Sequence, residues 1–367
     1  MKRLRVMVVD DSATVRKLLG DAVQAEADLE LCASAQNGQV ALDRLEAARP
    51  DVVTLDLEMP VMDGLSTLRE LKRRRPGLPV LVVSSHTERG ALVTLDALAA
   101  GASDFVAKRS ASGVDEARRF MSEDVIPRVR SLAARAAGVA LRPRAPTAPA
   151  PVARASGRAA ATPELLVIGV STGGPNALEA LLGALPRAFP VPIVIVQHMP
   201  TLFTRLLAER LDARGPLRVR EAVDGARLEP GHAWIAQGGR HLLVAYSEGS
   251  TVLQLDDGPP ESSCRPAVDP LFRSAARACG AGVLGLVLTG MGSDGLEGSR
   301  TIVKQGGAVL AQDEATSVVW GMPGAVVGAG LAEAVLPLPE LAAALVARVQ
   351  GRGPAHAERR TPGRGGP

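Results

Sequence analysis

The chain has 367 residues, 46% apolar and 22% charged, which excludes a disordered protein and leaves room for two domains of about 120 to 200 residues. Its formal net charge is only +3, and much of the arginine falls in one central stretch and the tail, so charge lends no support to nucleic-acid binding. Three cysteines, Cys32, Cys264 and Cys279, show no CxxC or histidine spacing, which argues against a disulfide framework or a sulfur-ligated zinc and suits a reducing cytosol.

The N-terminus carries only a short apolar run before Asp10 and Asp11, and no apolar run approaches the ~18 residues of a membrane span, so a cytoplasmic protein is expected. Apolar strands over 4–9, 52–57, 79–83 and 105–107 alternate with helical patterns over 14–25, 40–48, 65–74 and 91–100. Fully apolar strands in such an alternation mean a parallel sheet covered on both faces. From 126 to 162 there is no acidic residue, and proline, alanine and arginine dominate, so 126–163 reads as a linker. Strands over 165–170, 193–196, 284–288 and 308–311, with helices near 177–185, 203–211, 270–278 and 297–305, repeat the grammar. This predicts a second, doubly wound, mainly parallel α/β sheet. Short alternating strands over 217–255, with turns at Asp224-Gly225, Pro230-Gly231 and Gly238-Gly239, read as an inserted antiparallel hairpin or two. The division is therefore 1–125, a linker, 164–350 and a frayed tail over 351–367.

In open parallel sheets ligands bind beyond the carboxyl ends of the strands. Those ends carry Asp10 and Asp11, Asp56, Ser84 and Lys108 in the first domain. Crowded carboxylates repel unless a hard cation or an ammonium sits among them, and oxygen donors suit Mg²⁺. Each residue also has a plainer reading, with Asp11 or Ser12 capping the helix near Thr14 and Asp56 opening a turn that ends at Pro60. Together VVDDS, LDLEMPVMDG, VVSSHT and DFVAK resemble the receiver domain of two-component response regulators, over nearly all of 1–125. The resemblance implies a flavodoxin-like five-stranded parallel sheet of order 2-1-3-4-5 with Asp56 as phosphoacceptor. It also implies Mg²⁺ on Asp10, Asp11, Asp56 and the Glu58 backbone carbonyl, Ser84 and Lys108 at the phosphoryl group, and Phe105 as aromatic switch. The family usually has proline after this lysine, where this chain has Arg109.

In the second domain the strand over 165–170 runs into Gly169-Val170-Ser171-Thr172-Gly173-Gly174-Pro175. A serine on a glycine-flanked strand-to-helix turn fits a nucleophile elbow, but also a helix start with Pro175 in its first turn or a phosphate cradle. The next strand ends at His198, and a third leads into Thr289-Gly290-Met291-Gly292-Ser293-Asp294, where Asp294 could simply cap a helix. Serine, histidine and aspartate at three strand ends on one sheet edge suit acyl transfer, with His198 Nε2 expected within reach of the Ser171 oxygen. The chain order Ser, His, Asp disfavours an α/β-hydrolase.

The segments GVSTGGPNAL, QHMPTLFTRLLAERLD, GHAWIAQGGRH, RPAVDPLF, LTGMGSDG and AQDEATSVVWGMPGA resemble the catalytic domain of the chemotaxis protein-glutamate methylesterases, the CheB family, over about 164–340. The resemblance implies Ser171 as nucleophile, His198 as general base, Asp294 as its orienting residue, and backbone N–H groups near Thr172 and Met291 as oxyanion donors. Departures from the family pattern are Gln237, Cys264 and Gly324. The implied activity is phosphorylation-activated hydrolysis of glutamate γ-methyl esters on methylated chemoreceptors, with glutamine deamidation as a second reaction. A chemotaxis histidine kinase would supply phosphate, the esterase would need no cofactor, and the unphosphorylated receiver would cover Ser171. No nucleic-acid partner or membrane insertion is implied, and one receiver with one catalytic unit suggests a monomer. The alternative is a response regulator whose second domain is a non-catalytic binding output.

Overall fold

The structure is a computed structural model and describes residues 3–85, 87–108, 113–138, 161–247 and 249–351. Arg109, most of the linker and the tail beyond Gly351 lie outside these residues.

The first domain alternates β1 (Leu4–Val9), α1 (Ala13–Gln24), β2 (Leu29–Ala35), α2 (Gly38–Ala48), β3 (Val52–Asp56), α3 (Gly64–Arg74), β4 (Val80–Ser84), α4 (Glu88–Ala99) and β5 (Asp104–Ala107). The strands form one parallel sheet of order β2-β1-β3-β4-β5. The central strands β3 and β4 are buried along their whole length, as their unbroken apolar sequences require. Four helix starts are written in the sequence: Ser12, Asn37, Asp63 and Thr87 accept from backbone N–H groups of the first turns of α1 to α4. Each such cap contributes about 1 kcal/mol.

The sheet is followed by α5 (Val114–Phe120), a π-helical turn over Met121–Val125 and α6 (Ile126–Ala136). α6 occupies residues expected to begin the linker. Ile126, Val129, Leu132 and Ala133 are all buried in the first domain's core, beside Val6 and Val8 of β1. The scarcity of acid masked an apolar stripe at helical spacing whose other face is arginine.

The second domain contains β6 (Leu165–Val170), α7 (Gly174–Gly183), β7 (Ile193–Gln197), α8 (Thr201–Arg214), β8 (Arg218–Glu221), β9 (His232–Ile235), β10 (His241–Ser247) and β11 (Ser250–Asp256). It continues with α9 (Val268–Cys279), β12 (Val283–Val287), α10 (Leu296–Lys304), β13 (Ala308–Gln312), α11 (Met322–Gly328), β14 (Ala334–Leu336) and α12 (Leu338–Val349). Seven strands make a parallel sheet of order β14-β13-β12-β6-β7-β9-β8. Among the described strands, β10 and β11 are the pair that runs antiparallel. β8 and β9, expected in a second hairpin, instead pair parallel with each other, and β9 extends the main sheet beside β7.

Strand order reverses between β1 and β3 in the first sheet and between β6 and β12 in the second. At such a switch point the loops leaving two adjacent strands diverge and open a crevice. The carboxylates of the first domain and Ser171 of the second stand at these two points. Among the described residues no helix is long and apolar enough to cross a membrane.

Candidate active site

β6 delivers Ser171 to a turn that tolerates no bulk. A Cβ on Gly169 would lie 2.4 Å from Val268 Cγ1, and one on Gly174 only 1.8 Å from Gln197 Oε1. Gly173 opens α7 with φ 78°, a left-handed conformation that glycine adopts without strain. The loop after β12 presses on this elbow. The Ser171 N–H donates to the Thr289 carbonyl at 3.0 Å, and a Cβ on Gly290 would come 2.9 Å from Ser171 Cβ. Thr289 Oγ1 donates to the Thr172 carbonyl at 2.9 Å, and the Thr289 N–H donates to Gln312 Oε1 at 2.8 Å. The N–H groups of Thr172 and Met291 take no hydrogen-bond partner among the described residues, which leaves both available to an oxyanion.

β7 carries His198 to the same edge. Its Nε2 lies 2.8 Å from Asp294 Oδ2, and the backbone N–H groups of Val268, Asp269 and Gly295 donate to that carboxylate at 2.7, 3.0 and 2.9 Å. Burial opposes charge on the Asp294 carboxyl, but these bonds outweigh it and hold the group below its usual range. Burial likewise opposes charge on His198, and the hydrogen bonds of Asp294 and Cys264 outweigh it, holding the ring up to about 9. The ring nitrogens are reversed from the sequence-based expectation. Nε2 faces Asp294, so Nδ1 is the nitrogen left for Ser171, and in this structure Nδ1 lies 3.6 Å from Cys264 Sγ with no hydrogen bond to the Ser171 hydroxyl.

One residue that the sequence reading missed joins the two loops. Gln197 Nε2 donates to the Ser171 carbonyl at 3.1 Å and to the His198 carbonyl at 3.3 Å. The signal was present, since a buried amide stands at the end of an otherwise apolar strand.

Ser171 and His198 line a cleft of about 270 Å³ that the two domains build together. Its first-domain wall includes Asp104, Phe105, Phe120, Asp124 and Arg128, and its second-domain wall includes Met199, Cys264 and Arg265. Thr172 Oγ1 donates to Asp104 Oδ2 at 2.9 Å, and Arg128 Nε lies 3.4 Å from the same carboxylate. Asn176 Nδ2 donates to the Leu98 carbonyl at 2.9 Å, and Phe105 stacks on Phe203 with ring centroids 4.6 Å apart. Ser131 on α6 donates to Met291 Sδ at 3.5 Å. Ser171 is left 8% exposed.

In the first domain Asp10, Asp11 and Asp56 bring carboxylate oxygens within 4.8 Å of one another. Asp10 and Asp56 are buried and Asp11 is exposed. Lys108 Nζ lies 3.0 Å from Asp56 and 3.3 Å from Asp10. Burial pushes the Asp56 carboxyl up, against the pull of Lys108. A set of three hard oxygen donors open to solvent on one side fits Mg²⁺. The Glu58 N–H is 3.5 Å from Asp56 Oδ1, and its side chain accepts from Ser85 Oγ at 2.9 Å. Ser84 Oγ bonds into α4, donating to the Gly90 carbonyl at 3.2 Å and accepting from Thr94 Oγ1 at 2.5 Å. Ser12 Oγ accepts from Val15 N–H, so the cap of α1 is the serine and both aspartates remain for other work.

Comparison with known proteins separates a catalytic hydrolase from a binding output on this scaffold. The CheB methylesterase family profile matches residues 166–345, and the response regulator receiver domain profile matches residues 6–114. A relative from Nocardioides sp., named protein-glutamate methylesterase/protein-glutamine glutaminase, is 50% identical over 95% of this chain and 96% of its own. The chain belongs to the CheB methylesterase family.

A second CheB relative of the same name, from Trichodesmium erythraeum, is 43% identical over 95% of this chain and 100% of its own. The crystal structure of the Thermotoga maritima CheB methylesterase catalytic domain is 41% identical, covers 51% of this chain and 98% of that one, and superposes with a TM-score of 0.50. The two matched segments leave residues 115–165 between them, and α6, which supplies Arg128 and Ser131 to the cleft region, falls in that interval.

Proposed function

We propose that this chain is a phosphorylation-controlled protein-glutamate methylesterase acting on methylated chemoreceptors in the cytoplasm, with deamidation of receptor glutamines as a second reaction. Ser171 Oγ attacks the ester carbonyl while His198 takes its proton through Nδ1. Asp294 fixes the ring through Nε2 and stabilises the imidazolium that forms. The N–H groups of Thr172 and Met291 receive the developing oxyanion. Collapse of the tetrahedral intermediate expels methanol, which takes the proton back from His198 and leaves glutamate esterified to Ser171. Water then attacks with His198 again as base, releasing the carboxylate and restoring the serine. With a glutamine side chain the same steps release ammonia.

The receiver half accepts phosphate on Asp56 from a chemotaxis histidine kinase. Asp10, Asp11, Asp56 and the Glu58 carbonyl would hold Mg²⁺, which when bound offsets the charge of the incoming phosphoryl group. Lys108 neutralises the product, and Ser84 turns from α4 toward the phosphoryl oxygens. That turn breaks the Ser84 bonds to Gly90 and Thr94 and loosens α4, Phe105 and Asp104 from the catalytic domain, which uncovers Ser171. An activation of about 10 to 100 fold needs only about 1.4 to 2.8 kcal/mol of differential stability between the covered and open arrangements. The protein works as a monomer, since receiver and catalytic unit meet within one chain.

The observation that carries this reading is the meeting of Ser171, His198 and Asp294 at one sheet edge, against a cleft whose other wall is the receiver. Methanol release from methylated receptor tests it, with and without Mg²⁺ and a small phosphodonor. Ser171→Ala should abolish release, and Asp56→Asn should leave a low rate that the donor cannot raise. Undiminished release from Ser171→Ala would reject it.

A further inference from the structure

We infer that Cys264 is a positioning residue for the hydrolysis: its thiol occupies the one imidazole nitrogen that Ser171 can use, and so governs how readily His198 serves as base. The inference rests on the roles given above to Ser171 and His198 and adds a control on that same site.

His198 has two ring nitrogens, and one is committed. Nε2 is 2.8 Å from an Asp294 carboxylate that three backbone N–H groups hold in place, so the ring cannot give up that contact without stranding a buried charge. The other nitrogen, Nδ1, lies 3.6 Å from Cys264 Sγ, within reach of a sulfur hydrogen bond. A built turn brings the thiol there. Ser262 and Ser263 adopt left-handed backbone angles of φ 51° and 60°, which non-glycine residues rarely do in succession. Cys264 and Glu261 close the turn with reciprocal backbone bonds of 2.8 and 3.1 Å. Arg273 Nη2 anchors Glu261 at 2.7 Å.

Either proton arrangement keeps Nδ1 from Ser171. A thiol donating to the neutral ring fills its lone pair, and a proton moved from sulfur to nitrogen leaves an imidazolium beside a thiolate. Besides Asp294 and Cys264, the charged groups around the ring are Asp269 beside Asp294, Arg265 on the same turn, and Asp104, Asp124 and Arg128 on the receiver wall. Among the described residues only Asp294 and Cys264 hydrogen-bond the imidazole.

The test uses full-length protein held in its phosphorylated state with Mg²⁺ and a small phosphodonor, and follows methanol release from methylated receptor between about pH 6 and about pH 10. In Cys264→Ala the acid limb of kcat/KM should move down by about one pH unit, giving about tenfold faster release near pH 7. Cys264→Ser, which keeps a hydrogen bond but cannot carry the negative charge, should fall between the two. NMR titration of the His198 ring, identified among five histidines by its loss in His198→Gln, should show the same downward shift without turnover. An unmoved acid limb and an unmoved ring titration in both variants, with release still dependent on Ser171, would overturn the inference alone. Release that survives Ser171→Ala would overturn the reading of the site, and this inference with it.

Discussion

Thr172 Oγ1 donates to Asp104 Oδ2 at 2.9 Å, which ties the residue after Ser171 to the last strand of the receiver. Asp104 is buried, Arg128 stands 3.4 Å from it, and burial pushes its carboxyl up against both partners. The contact closes the cleft from the receiver side. Asp104→Asn keeps the shape but weakens the bond and leaves Arg128 without its counter-charge. Loss of about 1.4 kcal/mol from the covered arrangement raises unphosphorylated methanol release roughly tenfold. The phosphorylated rate should stay unchanged, and comparison of the two rates checks it.

Gln197 binds the Ser171 and His198 loops only while Gly174 gives it room. Gly174→Ala places a Cβ 1.8 Å from Gln197 Oε1 and forces the amide away. A displacement of the elbow by about 1 Å costs on the order of 100-fold in kcat. Gly183→Ala, where a Cβ meets nothing within 4 Å, is the control that should leave turnover intact.

The His198–Asp294 pair makes stability depend on pH. His198 titrates at about 9 in the fold against about 6.5 free, so its contribution is whole below about pH 6.5 and is lost as pH rises through about 9. Asp294 lies below its usual range, so its contribution is whole above about pH 4 and is lost as pH falls through the folded value. The difference in urea midpoint between wild type and His198→Gln should therefore be greatest between about pH 4 and 6.5 and shrink toward pH 9.

The proposed phosphorylation rests on a different charge cluster. Chelation of Mg²⁺ or Asp10→Asn should suppress donor-stimulated release at least about tenfold while sparing the unstimulated rate, because Asp10 touches Lys108 and nothing in the esterase cleft. Parallel assays of methanol and of phosphate on Asp56 separate the two effects.

The strand ends were legible because buried parallel strands are continuous apolar runs, and whatever polar residue stops the run stands at the functional edge. That logic placed Asp56 at the end of β3 and Asp10, Ser171, His198 and Asp294 on the loops that leave their strands. β2 was harder, since five of its seven residues are only partly buried and its sequence LELCASA mixes both characters. α6 was read as linker because composition was weighed over the spacing of Ile126, Val129 and Leu132. The stacking of Phe105 on Phe203 and the hydrogen bond from Thr172 to Asp104 had no local signature, because each joins residues far apart in sequence that meet only when the two domains pack together. Which imidazole nitrogen meets Asp294 is a matter of ring orientation, which residue identity does not encode.

The most direct test of a receiver-covered serine nucleophile is labelling of the full-length protein with an alkyl fluorophosphonate, followed by peptide mapping with and without Mg²⁺ and phosphodonor. The account predicts label on Ser171, taken up about 10 to 100 fold faster when the donor is present, with no acceleration in Asp56→Asn. Label on another residue, or equal rates in the two states, would contradict it.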